Sequence, residues 1–469
     1  MSLRIAGVLA LFGLLTAVAA AQQSAAPSAA PSAASGPGEA AAPPLARPEP
    51  LPKEHPLQRA LVTITSDDLR DSETWLADDA RQGRCAGEPS CDEAAEWIAD
   101  RFDEDGLEPC GADGGWFQPF EFPVRGGKKM ATTRNVVALL RGSDPVLKDE
   151  YVVLGGHYDH VGTSASADAG RIGGPIGDDK IWNGADDNAS GTSSVLEIAQ
   201  ALALGAVPTR RSIVFVAFSA EEQGLLGSLN YCQNPPFPLE KTVAMVNLDM
   251  VGRATKTGIE LGALGSLQGG LWNRLCDAAW RAAPELDLAS HRLAYSEPGS
   301  DHHSFIQHSV PALYVFTGYH DDYHRVGDSV DKLDLEQMAR ICRFVTALTV
   351  ELADCTEPMK FEMPRFEGRQ RKTLGVGVDG ALDAAKAKAL GLPDDQGGYE
   401  VTSITAGSVA EKSGLAVGDV IVSIHGKPIS SDDPLRSLQR LIGGAPSKKD
   451  VEIGVLRGGK PVTLIARWE

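Results

Sequence analysis

Four short apolar runs constrain this chain more than any other feature. They are Tyr151-Val152-Val153-Leu154, Ser212-Ile213-Val214-Phe215-Val216-Ala217-Phe218, Val243-Ala244-Met245-Val246-Asn247-Leu248 and Pro311-Ala312-Leu313-Tyr314-Val315-Phe316. None alternates apolar with polar residues along its length. Runs this short and this uniformly apolar fit strands buried on both faces, which requires helices on either side of a sheet. Ser193 to Leu202, between the first two runs, has helical spacing. A second helix is expected over roughly 334–352, with Met338, Ile341, Cys342, Val345, Leu348 and Leu352 on one apolar face. The implied architecture over residues 56–355 is α/β, a mainly parallel sheet in a three-layer arrangement.

The remaining segments differ in kind. Residues 1–21 place Arg4 before an apolar run that ends in small residues, with Ala17-Val18-Ala19 and Ala19-Ala20-Ala21 as cleavage patterns. That predicts a signal peptide, a secreted or periplasmic protein, and no stable membrane anchor after cleavage. Residues 22–55 begin with a tract of Ala, Pro, Ser, Gly and Gln that has too little apolar surface to offset ordering, so they read as a disordered linker. Export permits disulfides, and Cys85 and Cys91 are close enough along the chain to pair. Residues 356–372 are charged, contain two prolines and read as another linker. Beyond them, short strand-like runs at 374–378, 400–404, 420–424 and 451–455 predict a small β-rich domain over 373–469. Lys and Arg number 44 against 63 Asp and Glu, so the net charge is 44 − 63 = −19. A field of that sign repels phosphates and argues against nucleic acid as a partner.

Each apolar run ends in residues able to hold a metal. The first leads into Gly156-His157-Tyr158-Asp159-His160, the second into Ser219-Ala220-Glu221-Glu222, the third into Asp249, and the fourth, after a loop, into Tyr323-His324. In an open α/β sheet ligands bind beyond the carboxyl ends of the strands, so these four ends should converge. The acidic turn Asn183-Gly184-Ala185-Asp186-Asp187-Asn188 belongs with them. Mixed imidazole and carboxylate donors favour zinc over calcium. Five donors exceed the needs of one tetrahedral ion and suit two ions about 3.5–4 Å apart, sharing a carboxylate. The His-x-Asp spacing suggests that Asp159 orients His157 by accepting its second N–H. Adjacent Glu221 and Glu222 must divide their roles, one binding metal and the other serving as general base. His160, His302 and His303 receive no ligand role, and His320 competes with His324.

At these residues the chain resembles metallopeptidase family 28 of clan MH, of the bacterial leucyl aminopeptidase type. The resemblance rests on Gly155 to Gly162, Asn183 to Gly191, Ala220 to Ser228, Asn247 to Met250, Ser300-Asp301-His302, and Tyr323-His324 with Asp328. It implies that His157 and Asp249 hold one zinc ion, Glu222 and His324 a second, and Asp187 bridges them. It further implies Glu221 as general base and Asp159 as the acid behind His157. The expected activity is that of an aminopeptidase acting on peptide substrates. A carboxypeptidase or other amidohydrolase of the same fold is the alternative, for which Arg253, Arg292 or Arg325 would have to bind the substrate carboxylate. The stretch Gly407 to Ile421 resembles a PDZ domain of bacterial proteases, which implies a C-terminal peptide ligand at Thr373-Leu374-Gly375-Val376. A peptide-binding protein led by this domain, with an inactive metal site, is the remaining alternative.

Overall fold

The computed structural model describes residues 52–124, 129–166, 171, 174–253, 260–264, 271–286, 299–361, 374–382, 384–393, 396–405, 407–429, 438, 441–442, 445–446 and 448–468. The expected signal peptide, nearly all of the first linker, most of the second, Arg292 and Thr373 lie outside the described residues. The chain divides into two compact units, one containing the α/β region and one the strand-rich region after residue 365.

In the first unit the four apolar runs are strands: β4 (Tyr151–His157), β5 (Ser212–Phe218), β6 (Thr242–Leu248) and β8 (Ala312–Phe316). They lie in the order β5-β4-β6-β8 and are mutually parallel, as their composition predicts. The sheet is nevertheless mixed. On one flank β3 (Met130–Leu140) pairs antiparallel with β5 and carries β1 (Glu108–Pro109) and β2 (Phe117–Pro123). On the other, β7 (Glu260–Leu264) pairs antiparallel with β8.

Both faces of the parallel strands are covered, which is why the runs are continuously apolar. Val152 and Leu154 of β4, with Ile213 and Phe215 of β5, point into one core. Val153 of β4, with Val214 and Val216 of β5, points into another. Burial of each such side chain contributes about 1.5–3 kcal/mol. Six helices contribute to the first core: α1 (Pro56–Leu61), α2 (Ser66–Leu76), α3 (Pro89–Glu104), α4 (Ser190–Leu204), α6 (Leu271–Ala282) and α8 (Leu335–Asp354). Two cover the opposite face, α5 (Leu226–Gln233) and α7 (His302–Gln307). The expected helices at 193–202 and 334–352 are thus the interiors of α4 and α8, and the domain has three layers.

Cys342 is a fully buried thiol on α8. Cys85 and Cys91 are both buried and free, so the cross-link that their spacing would allow is not formed. The Cys91 Sγ instead lies 3.6 Å from Ser219 Oγ, and the Cys85 thiol lies against the Ala86 carbonyl. Among the described residues no helix is long and apolar enough to cross a membrane.

The second unit is a six-stranded antiparallel sheet: β9 (Val376–Ala381), β10 (Tyr399–Ile404), β11 (Val420–Ile424), β12 (Lys427–Pro428), β13 (Asp450–Arg457) and β14 (Lys460–Arg467). Its own core gathers Leu374, Tyr399, Val401, Ile421, Ile453, Val455 and Trp468. The buried Asp419 carboxylate accepts two bonds from Arg457 at 2.7 Å and one from the Ala416 N–H. Leu374, Gly375 and Val376 stand just before and at the start of β9. The Leu374 carbonyl accepts from Ala410 N–H and the Gly375 carbonyl from Thr405 N–H.

One buried acid in the first unit ties helix packing to pH. Glu197, on α4, accepts the Thr65 N–H at 3.2 Å at the start of α2. Burial, then the nearby Asp68, pushes its carboxyl up from 4.5 to about 7, although the Thr65 bond acts in the other direction. The folded chain therefore keeps this proton up to about pH 7, whereas an unfolded chain loses it near 4.5. Stability from the proton is complete below 4.5 and is lost as pH rises to about 7. Glu197→Gln, which keeps the acceptor and cannot ionise, should gain melting temperature relative to the natural chain between pH 5 and pH 7. A difference that stays flat across that range would count against this account.

Candidate metal centre

The four parallel strands end together, and their terminal loops meet the acidic turn. His157 closes β4, Glu221 and Glu222 follow β5, and Asp249 follows β6. Asp187 lies just before α4, and His324 lies in the loop after β8. The His157 Nε2 is 3.5 Å from Asp187 Oδ1, 3.6 Å from Asp249 Oδ1 and 3.9 Å from Glu221 Oε2. The His324 Nε2 is 2.9 Å from Asp187 Oδ2 and 3.2 Å from Glu222 Oε1. Asp187 thus has one carboxylate oxygen toward each imidazole. All five residues expected to hold metal come together. Of the two candidate histidines before α8, His324 is the one at the centre; His320 instead approaches Asp186 Oδ2, at 3.1 Å.

Two features depart from the sequence reading. The His157 Nδ1 lies 3.0 Å from the Asp159 backbone carbonyl, while the Asp159 carboxylate is 3.8 Å away. That carboxylate is used elsewhere: it accepts the backbone N–H groups of Glu221 at 3.1 Å and Glu222 at 3.3 Å. Asp159 therefore acts on His157 through its main chain and on the glutamate pair through its side chain. The second departure is His160, whose Nδ1 lies 2.9 Å from Glu222 Oε1. Grouped by distance alone, the donors form two sets, His157 with Glu221 and Asp249, and His160 with Asp187 and Glu222.

The turns that bear Asp187, the glutamate pair and Asp249, and the loop after His157, are held by side chains from other loops. Asp328 accepts the N–H groups of Asp186 and Asp187, at 3.0–3.1 Å. The Asn188 amide donates to the Leu248 carbonyl and accepts from Gly191 and Met250 N–H, fastening the Asp187 turn to the end of β6. Gly191 permits this approach, since a Cβ there would lie 2.3 Å from the Leu248 carbonyl oxygen. Arg84, fully buried, donates to the carbonyls of Leu76, Tyr158, Asn183 and Gly184. Its guanidinium joins the His157 loop to the Asp187 turn, with no carboxylate in hydrogen-bond contact. Ala220, Met250 and His324, at or beside three of the donors, have φ of 56°, 54° and 53°. That left-handed region is unfavourable for residues with a Cβ and recurs where a structure holds functional groups in place. Sequence contained no signal for Arg84, a lone arginine in a turn. Asn188 and Asp328 were visible only as members of motifs.

The electrostatics follow from crowding. Burial first, and then the neighbouring Glu222, Asp301 and Asp249 charges, push the Glu221 carboxyl well above its ordinary range, although His157 pulls the other way. Burial would lower His157 and His324, yet the carboxylates around them drive both imidazoles well above their usual range. Burial raises Glu222 too, but the charges and bonds of His324 and His160 outweigh it and hold this carboxyl low. Asp301, buried close by, is pushed up to about 7, chiefly by burial. The field therefore favours positive charge at the two places where the His157 and His324 Nε2 atoms point. Donor separations of 2.9–3.6 Å among the five residues bracket the edge of a zinc tetrahedron, about 3.3 Å for bonds near 2.0 Å. Donor chemistry, spacing and field all fit divalent zinc. Glu221, with its side chain 11% exposed, is the most accessible of the group.

Two stretches of the chain match known families. Residues 135–349 match the model of peptidase family M28, and residues 400–457 match a PDZ domain. The aminopeptidase YwaD of Bacillus subtilis is 29% identical over 228 residues, 47% of this chain and 45% of its own length. A probable zinc metalloprotease of Pyrenophora teres f. teres is 42% identical over 120 residues, 25% of this chain and 23% of its own length. The chain thus spans less than half the length of either relative. Among solved structures, BSAP, a zinc aminopeptidase from Bacillus subtilis, aligns with a TM-score of 0.50 at 18% identity, covering 64% of this chain and 98% of that one. This last likeness is one of fold alone. The stretch that matches peptidase family M28, residues 135–349, contains all the converging strand ends, and the PDZ match at residues 400–457 lies in the strand-rich unit.

Proposed function

We propose that this chain is a secreted or periplasmic zinc exopeptidase that removes residues from peptide amino termini. The observation that carries the reading is the meeting of His157, Asp187, Glu222, Asp249 and His324, from five separate segments of the chain, with donor atoms at coordination spacing. His157 and Asp249 would hold one zinc ion, Glu222 and His324 the other, and Asp187 both. The aminopeptidase name of the YwaD relative supports the choice of peptide end. Export rests on the leader-like residues 1–21.

A bound zinc pair supplies Lewis acidity: it makes water a nucleophile near neutral pH and offsets negative charge on a carbonyl oxygen. The chain's own residues do the rest. Glu221, the most accessible acid and one whose affinity for a proton is raised, takes a proton from the attacking water and returns it to the leaving amine. Asp159 holds the backbone of Glu221 and Glu222, so the two neighbouring carboxylates face different tasks. Of the arginines that a carboxypeptidase reading would use, Arg253 is paired with Asp322 at 3.0 Å, and Lys332 shares the same acid. The PDZ domain would take a peptide carboxylate at the N–H groups of the Thr373-Leu374-Gly375-Val376 loop, with the peptide added as a strand.

Two measurements test this. Glu221→Gln should retain the metal content of the natural chain and lose turnover by about 10²–10⁴-fold; near-normal turnover would remove Glu221 from the mechanism. A digest of a peptide library by the zinc-loaded protein, read by mass spectrometry, should show trimming from free amino termini and none from amino-acetylated peptides. Trimming from the carboxyl end would transfer the reading to a carboxypeptidase.

A further inference from the structure

One residue that the proposed chemistry leaves unused is His160. It is fully buried, three positions beyond His157, and its Nε2 has no hydrogen-bond partner. A buried histidine kept only for the fold would satisfy both nitrogens, because an orphaned polar atom costs stability. Here the one short side-chain bond of the ring runs to Glu222 Oε1, at 2.9 Å; Asp187 Oδ2, at 3.9 Å, is too far. A carboxylate can only accept, so Nδ1 carries the proton and donates it.

The ring is boxed into this orientation. Its backbone N–H is held by the Arg84 carbonyl. One side lies against Gly184, in the left-handed region at φ +59°, where a Cβ would come within 2.4 Å of the His160 Cγ. The edge of His324 meets it at 5.5 Å between ring centroids, with the planes 80° apart. A ring so confined presents one nitrogen to one carboxylate oxygen.

We propose that His160 is a positioning residue for one of the two cation positions, that of Glu222 and His324. By donating from Nδ1 it fixes which way the Glu222 carboxylate faces the ion. The other position is built differently, since there the ordered group is the imidazole of His157, held by the Asp159 carbonyl. The two positions should therefore respond differently to loss of the His160 donor. This inference rests on the zinc-pair reading above.

The test measures zinc affinity on the full chain by competition with a chromophoric chelator, alongside thermal unfolding. The natural chain should release two ions in two phases. His160→Ala should weaken one phase by about 10–100-fold, the usual effect of losing a group that orients a ligand, and leave the other unchanged. His160→Asn, which can keep a donor near the Nδ1 place, should restore most of the loss. If the alanine variant fails to fold, His160→Gln, which fills the space with its amide displaced, takes its place. The effect should be absent in a His324→Ala background and present in a His157→Ala background. Two unchanged phases, equal weakening of both, or an effect that persists without His324 would overturn the inference. So would X-ray absorption counting three imidazoles per ion pair, which would make His160 a ligand. A natural chain that retains no ion pair would overturn the zinc-pair reading itself, whereas an intact pair with an indifferent His160 would overturn this inference alone.

Discussion

The structure depends on holding four carboxylates and two imidazoles together, out of water, at one end of a sheet. Asp187, Glu221, Glu222 and Asp249 lie within 4 Å of His157 or His324. Their mutual repulsion and the loss of water oppose this gathering, as the raised Glu221 and the proton-hungry imidazoles record. Divalent cations at the two imidazole faces would offset that repulsion, which suits the site to hold them.

The backbone answers that repulsion. The donors come from turns, and turns hold position only if their polar groups are occupied. Asp159 captures the N–H groups of the glutamate pair, Asp328 those of Asp186 and Asp187, and Asn188 binds the end of β6. Arg84 performs the complementary task by occupying carbonyls. Four of these segments are thus fixed by side chains of others, which ties the assembly of the centre to that of the rim of the sheet. The left-handed backbone at Ala220, Met250 and His324 is sustained by this mutual support.

The same network distinguishes groups that look equivalent in the chain. Glu221 and Glu222 are neighbours, yet the first is raised, partly accessible and set toward His157. The second is held low and lies between His160 and His324. Asp186 and Asp187 are neighbours too. Asp186 faces Gly252 and His320, and Asp187 faces both imidazoles of the centre. Adjacent side chains leave the main chain in different directions, and here the difference gives neighbouring acids different partners.

Sequence alone determined the parallel core strands, the interiors of α4 and α8, the strand-rich second unit and the convergence of polar residues at the strand ends; the choice of Asp187 and Glu222 within that set came from the resemblance. These were legible because they depend on local pattern: a strand buried on both faces must be apolar throughout, and donors at strand ends must converge when the strands are parallel. Tertiary structure decided the rest. The antiparallel flanks of the sheet follow from pairing between distant segments, which no local pattern specifies. That Asp159 reaches the glutamate pair and that His160 reaches Glu222 depends on the sub-ångström spacing of two loops. Arg84 acquires its role only because Tyr158, Asn183 and Gly184 close around it, and such contacts between residues 70–100 positions apart exist only once the chain has folded.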